Sequence, residues 1–252
     1  MKNNLENPQY IGGIWDKKWN NLDIGDFKRN SFLEDNWTLS HKEIIDKYLK
    51  RVKKDGVFLE AGCGMGHWCF YASEKYKIKS VGVDVAQKTI ARLNDYRAGD
   101  SLTSFLTDDL NDSKLQNNYF DMFVSLGVIE HFKDHRPMMK NLNRILRPGG
   151  VGIITTPNVY SLHTLTRPIL RFWGKWDIGY EKSFSPNKLK QMSREAGFKV
   201  LERGVLPSGE LFGCFLNSLP ALGKIFKKAS LLIEKTQNIF GFISFVVVQK
   251  DE

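Results

Sequence analysis

The sequence predicts an α/β fold, a mainly parallel sheet with helices on both faces. Short apolar runs alternate with helical stretches over residues 57–158, and a glycine-rich turn follows the first of them. The runs are continuous enough to be buried on both faces, as parallel strands are. A chain of 252 residues can bury one full core, and 42% hydrophobic with 26% charged residues is an ordinary globular balance. No low-complexity tract marks a boundary. A single domain over 1–252 is expected, with a cap segment at 1–39, a core at 40–158 and a region at 159–252 that completes the sheet.

The elements follow in order. "SHKEIIDKYLKRV" (40–52) offers Ser40 as N-cap with Glu43 three residues on, and Ile44, Ile45, Tyr48, Leu49 and Val52 share one helical face. Strands are expected at 57–62, 80–85, 103–107, 119–126 and 151–156. Helices lie between them at 67–75, at 87–96 and from Pro137 to the "RPGG" of 147–150. Residues 158–184 are aromatic and basic without a clean period, which is typical of a functional or capping loop. Ser185 as N-cap, Pro186 at N1 and Gly197 as stop define another helix. Strands at 198–206 and 242–250 enclose a helical insert whose apolar face runs from Leu222 to Thr236.

Ligands in such sheets bind beyond the carboxyl ends of the strands. That rule brings Glu60–Gly66, Asp84, Asp108–Leu110 and Leu126–Glu130 together. The loop "EAGCGMGHW" (60–68) lacks the Gly-Lys-Ser/Thr ending of a phosphate-binding P-loop. Its glycines at 62, 64 and 66 place the third one position early for a dinucleotide fingerprint. Glu60 at the loop's start would repel phosphate and attract an ammonium group. The loop therefore suits a cofactor without phosphates.

"VFLEAGCGMG" followed by "VGVDV" resembles the first two motifs of class I S-adenosylmethionine-dependent methyltransferases. "TDDL" (107–110), "NYFDMFVSLGVIEHF" (118–132), "LRPGGVGIITTPN" (146–158) and "SFSPNKLKQMSREAGF" are similar, in order and spacing, to later motifs of that family. The resemblance implies a Rossmann-like three-layer α/β/α sandwich, a seven-stranded sheet with one antiparallel strand, and a helical insert. It implies S-adenosyl-L-methionine as cofactor and S-adenosyl-L-homocysteine as product. Glu60, Gly62, Cys63, Gly64 and Gly66 would form the loop around the methionyl and ribose parts. Asp84, with Val85, would take the ribose hydroxyls; helix capping is its duller alternative. Asp109, or its competitor Asp108, would accept from the adenine amino group, with Leu110 near the ring. Leu126 and Gly127 would border the methionyl group and the transferred methyl.

Methyl transfer is an in-line displacement, so alignment and exclusion of water supply much of the rate. A hydroxyl acceptor would also need a base, and the candidates are His131, Glu130 and His163; a structural hydrogen bond is the alternative for His131. "GVIEHF" resembles a segment of the ubiquinone-pathway O-methyltransferases that is associated with a metal. Here Gly127 replaces the acidic residue of that segment, so no metal is expected. The aromatics Tyr10, Trp15, Trp19 and Trp37, with Tyr160, His163, Phe172, Trp173 and Trp176, are expected to cap or recognise the acceptor.

The formal charge of +9 is concentrated in residues 159–252, which hold 14 Lys and Arg against 8 Asp and Glu. The Lys-flanked insert at 219–240 would pack on the protein, on a second subunit of a homodimer, or on an anionic membrane. Cys63, Cys69 and Cys214 form no C-x-x-C pair and suggest reduced thiols; with a polar N-terminus, they predict a cytoplasmic protein. The expected function is methyl transfer, preferentially to oxygen, on a small-molecule, lipid-linked or sugar-linked acceptor. RNA methylation is a weaker reading without an RNA-binding motif, and a non-catalytic cofactor- or membrane-binding protein on the same scaffold is a third.

Overall fold

The computed structural model describes residues 7–25, 36–97, 99–161, 164, 167–168, 171–174, 179–206 and 241–252. His163, Trp176, Cys214 and the amphipathic stretch 219–240 lie outside these residues, as does the side chain of Trp37.

Seven strands form one sheet: β1 (Val57–Ala61), β2 (Lys79–Asp84), β3 (Thr103–Thr107), β4 (Phe120–Leu126), β5 (Leu146–Pro157), β6 (Phe198–Leu206) and β7 (Ile243–Lys250), in the order β3-β2-β1-β4-β5-β7-β6. All neighbours pair in parallel except β7, which runs antiparallel to both β5 and β6. The expected single antiparallel strand is thus present. Side chains alternate across the sheet as the period of two requires. Phe58 enters one apolar layer, while Val57, Leu59 and Ala61 enter the other.

The first layer packs under α2 (Asn36–Leu49), α3 (His67–Tyr71) and α4 (Gln87–Tyr96), through Ile45, Leu49, Trp68, Phe70 and Leu93. The second packs under α5 (Arg136–Ile145) and α6 (Pro186–Glu195), through Met138, Leu142, Ile145, Leu189 and Met192. Phe58, Phe120 and Phe123 are completely enclosed, each contributing roughly 1.5–3 kcal/mol by burial. Two-sided burial of this size, more than strand propensity, holds the sheet. No helix among the described residues is long and apolar enough to cross a membrane.

Two local expectations differ from the structure. Ser40 is not an N-cap, because α2 begins a turn earlier at Asn36. The buried stripe itself starts earlier, with Thr38 and His41; His41 Nε2 lies 3.2 Å from Thr155 Oγ1 on β5. The helix expected at 67–75 is α-helical only to Tyr71 and continues as a π turn over Ala72–Tyr76. By contrast, Ser185 caps α6 through Lys188 N, and Gly197 follows its end at φ +87°.

The cap segment contains a helix, α1 (Pro8–Trp19), started by Asn7, whose side chain accepts from Gln9 N at 2.9 Å. It is strapped to α4 near its C-terminal end. Asp16 accepts from Thr89 N at 2.8 Å, Thr89 Oγ1 at 2.9 Å and Lys88 N at 3.2 Å, capping a helix whose own N-cap, Ala86, has no side-chain acceptor. In return, Arg92 donates to the carbonyls of Trp19 and Leu22 beyond the end of α1. Gly12 permits the close approach: a Cβ there would fall 2.3 Å from Val85 O.

Asp16→Ala should therefore cost about 1–2 kcal/mol, the scale of a lost helix cap. A lower urea midpoint with an unchanged slope is the expected result.

Candidate active site

The strand order reverses between β1 and β4, and at their carboxyl ends the structure has a cavity with an empty volume of ≈ 650 Å³ that includes open solvent. Its walls come from six segments: Gly62 and Gly64 after β1, Asp84 and Val85 after β2, Asp108 and Leu110 after β3, Leu126 to Val128 after β4, His131 and Phe132 beyond them, and Ile11, Trp15 and Trp19 of α1. The chain brings these residues together from positions 11 to 132. Two carboxylates and several apolar surfaces line the cavity, and among the described residues no lysine or arginine does.

The glycine loop is held by its neighbours' backbone and by Asp84. Gly62 N and Cys63 N both donate to Val83 O, at 2.8 and 2.9 Å. Asp84 then takes Gly64 N on Oδ2 and Ala86 N on Oδ1, each at 2.9 Å. Burial pushes its carboxyl above the usual range, and these amides oppose the shift. Helix capping and ligand binding are compatible here, since each carboxylate oxygen retains a further lone pair. Gly62 needs its φ of +79°, and a Cβ on it would fall 2.3 Å from Val128 Cγ2. The indole of Trp19 packs on Gly64 from the open side.

Four residues expected at the ligand stand behind the wall. Glu60 does not line the cavity; it is buried, and its Oε2 accepts from Cys69 N at 3.0 Å. Loss of water raises its pKa to about 8, so it is a neutral acid at pH 7 and lacks the charge expected to attract an ammonium group. The Cys63 side chain is buried, and Gly66 backs onto the Phe105 ring. Asp109 turns away to accept from Asn111 N at 2.9 Å, so the wall residue is Asp108, the competitor. Asp108 also accepts from Asp109 N, Ser113 Oγ and Lys114 N, which fixes the turn. Asn141 of α5 clamps that turn through the carbonyls of Leu110 and Asn111, both at 3.0 Å.

At the other end, β4 runs into Gly127, whose N donates to Thr155 O at 3.1 Å, and then into a 3-10 turn over Ile129–His131. His131 lines the cavity. Its Nδ1 lies 2.8 Å from Tyr180 O, a group that can only accept, so Nδ1 carries the proton and Nε2 is bare in the neutral ring. Burial lowers its pKa and favours that neutral form. The Trp15 ring meets it edge to face at 5.1 Å and stacks on Trp19 at 5.8 Å. Glu130 points elsewhere: it is buried, outside the cavity wall, and desolvation pushes its pKa well up.

Of the aromatics expected to face an acceptor, Trp15 and Trp19 line the cavity. Tyr160, Phe172 and Trp173 do not, and all three are exposed, as is Tyr10. Val128 lies within the expected Leu126–Glu130 stretch, whereas Ile11 and Phe132 are additions to the expected lining. The signal for Ile11 was present in Asn7-Pro8 as a helix start and in the i, i+4, i+8 spacing of Ile11, Trp15 and Trp19.

Gly62→Ala should destabilise the chain by about 2 kcal/mol or more, from the left-handed backbone and the Val128 contact together. Adding Val128→Ala should recover part of that loss in chemical denaturation. Glu60 gives a pH signature. Its pKa lies near 4.5 when unfolded and about 8 when folded, so its stabilising contribution is whole below pH 4.5 and is lost as pH rises through 8. Unfolding midpoints measured from pH 5 to 9 should fall more steeply for the wild type than for Glu60→Gln.

Comparison with known proteins agrees with this fold. A family model described as a methyltransferase domain matches residues 35–203. The chain is 28% identical over 167 residues to the chloroplastic tocopherol O-methyltransferase of Arabidopsis thaliana, covering 57% of this chain and 46% of that protein. It is 30% identical over 116 residues to phosphoethanolamine N-methyltransferase 1 of Triticum aestivum, covering 45% and 23%. The chain thus spans less than half the length of these curated relatives. Geranyl diphosphate C-methyltransferase of Streptomyces coelicolor A3(2), solved with Mg2+, geranyl diphosphate and S-adenosyl-L-homocysteine, superposes with a TM-score of 0.64 at 13% identity, over 96% of this chain and 97% of that one. With the matched model covering two thirds of its length, the chain belongs to the methyltransferase-domain family.

Proposed function

We propose that this protein binds S-adenosyl-L-methionine in the cavity and transfers its methyl group, by in-line displacement, to an oxygen of a small-molecule acceptor. The observation that carries this reading is a cavity whose described lining holds two carboxylates and an aromatic wall, bordered by a histidine with a bare Nε2. A phosphate-bearing dinucleotide would find no positive partner among the described residues, whereas a sulfonium cation finds Asp84, Asp108 and the Trp15 and Trp19 rings.

Asp84 would accept the ribose hydroxyls, Asp108 the adenine amino group, and Leu110 and Val85 the faces of the base. Leu126, Gly127, Gly62 and Gly64 would border the methionyl part. Bound there, the cofactor supplies an electrophilic methyl on a sulfonium sulfur. The wall of α1 excludes water from that end, and His131 Nε2 takes the proton of an acceptor hydroxyl as its oxygen becomes alkylated.

The relatives carry their methyl groups to different atoms, as their names state: oxygen, nitrogen and carbon. Oxygen is favoured here because a hydroxyl must lose its proton, and a neutral imidazole with Nδ1 occupied is built for that task. The cytoplasm is the proposed location, supported by the buried free thiols of Cys63 and Cys69.

Calorimetry should show binding of S-adenosyl-L-homocysteine, weakened about tenfold or more in Asp84→Ala, since two hydroxyls lose charged acceptors. No binding to the wild type would refute the reading. In a metabolite extract with cofactor labelled in its methyl group, mass spectrometry of the product should find an O-methylated small molecule. His131→Gln should then lower turnover about 10²-fold or more, with cofactor affinity retained.

A further inference from the structure

Residues 179–184, "GYEKSF", lie along the turn that carries His131. Tyr180 O accepts from His131 Nδ1 at 2.8 Å, and Lys182 N donates to Glu130 O at 3.0 Å. Two consecutive residues of the turn after β4 are thus held by two residues of this strap. Between those contacts stands Glu181, whose carboxylate meets the Arg167 guanidinium at 2.5 Å with both side chains almost fully buried, at 4% and 8% exposure. Arg167 also donates Nη1 to Glu181 O at 2.9 Å and Nη2 to Ser183 Oγ at 2.7 Å. Ser183 Oγ in turn lies 2.7 Å from Thr164 Oγ1. One guanidinium therefore grips the strap by a carboxylate, a carbonyl and a hydroxyl, on either side of the peptide that touches the histidine turn.

A buried ion pair is weak evidence for stability, since an apolar pair of similar volume often serves as well. Its worth lies in geometry: a planar fork with several fixed donors permits few arrangements of its partners. We propose that Arg167 and Glu181 are positioning residues, a buried clamp that holds the Tyr180 carbonyl against His131 and so keeps the imidazole in the Nδ1–H tautomer with Nε2 facing the cavity. Neither residue lines the cofactor cavity, so the clamp acts on the base and not on cofactor binding. The inference rests on the reading of His131 as the base.

The charged and titratable groups acting on the imidazole are Glu181 of the strap, Arg167 and Lys18 of α1, with Glu130 adjacent in the turn. Burial is the largest influence and holds the ring neutral. Loosening the strap admits water, which returns the titration of His131 upward toward the ordinary imidazole range.

The test uses the full chain labelled with nitrogen-15, and the His131 signals are assigned by their loss in His131→Gln. In the wild type, imidazole nitrogen shifts should report the Nδ1–H tautomer near neutral pH. In Arg167→Met, and in Arg167→Met/Glu181→Leu, which leaves no buried charge unpaired, they should move to a mixture of tautomers with a higher pKa. Arg167→Lys should recover part of the wild-type signature. S-adenosyl-L-homocysteine, used as the probe, should bind all variants within about twofold of the wild type, showing that the fold and the cavity survive. Retention of the wild-type tautomer and titration in a clamp variant that still binds the probe would overturn the inference, and so would an Nε2–H tautomer in the wild type. Failure of the wild type to bind the probe would instead count against the proposed function.

Discussion

The Asp84 carboxylate is the contact on which the rest of the site depends. Through its two oxygens it joins the glycine loop after β1 to the start of α4 after β2. Val83, one residue earlier, receives the amides of Gly62 and Cys63. The loop thus has no freedom to collapse into the space that its glycines leave bare. The same two segments then carry α1, because Gly12 lies against Val85 O and Asp16 caps α4. A single strand end therefore sets both the floor and the wall of the cavity.

Electrostatic balance follows from who is buried behind that wall. Glu60 and Glu130 are enclosed and held toward the neutral acid, since an isolated carboxylate in an apolar setting is costly. Asp84 and Asp108 line the cavity and accept from backbone amides, which at Asp84 oppose the upward shift that burial imposes. Environment thus separates the two acids enclosed behind the wall from the two that line the cavity.

The sheet was largely legible because its signals are local: strands 57–61, 103–107 and 198–206 and helix 186–195 follow directly from apolar period, Ser-Pro capping and glycine stops. Boundaries moved where burial extended an element, as at α2, where the buried Thr38 lies ahead of the apparent Ser40 cap. Asp84, Gly62, Leu126 and Gly127 were visible as strand-end residues. Glu60 and Asp109 were not separable from their neighbours, because a one-residue change of direction decides whether a side chain meets the ligand or its own backbone.

By itself the sequence determined the order of strands and helices, the phosphate-free character of the loop and the identity of the strand-end carboxylates, all properties of short spacing and residue type. Only the tertiary structure decided that α1 lines the cavity, that Asp108 rather than Asp109 stands on its wall, and that His131 holds its proton on Nδ1. Each of these depends on a partner between 2 and 73 residues away in the chain, from Asn111 beside Asp109 to Tyr180 beside His131 and Thr89 beside Asp16. Such partners carry no periodicity, and the energy that selects them is the burial and hydrogen bonding of the assembled fold.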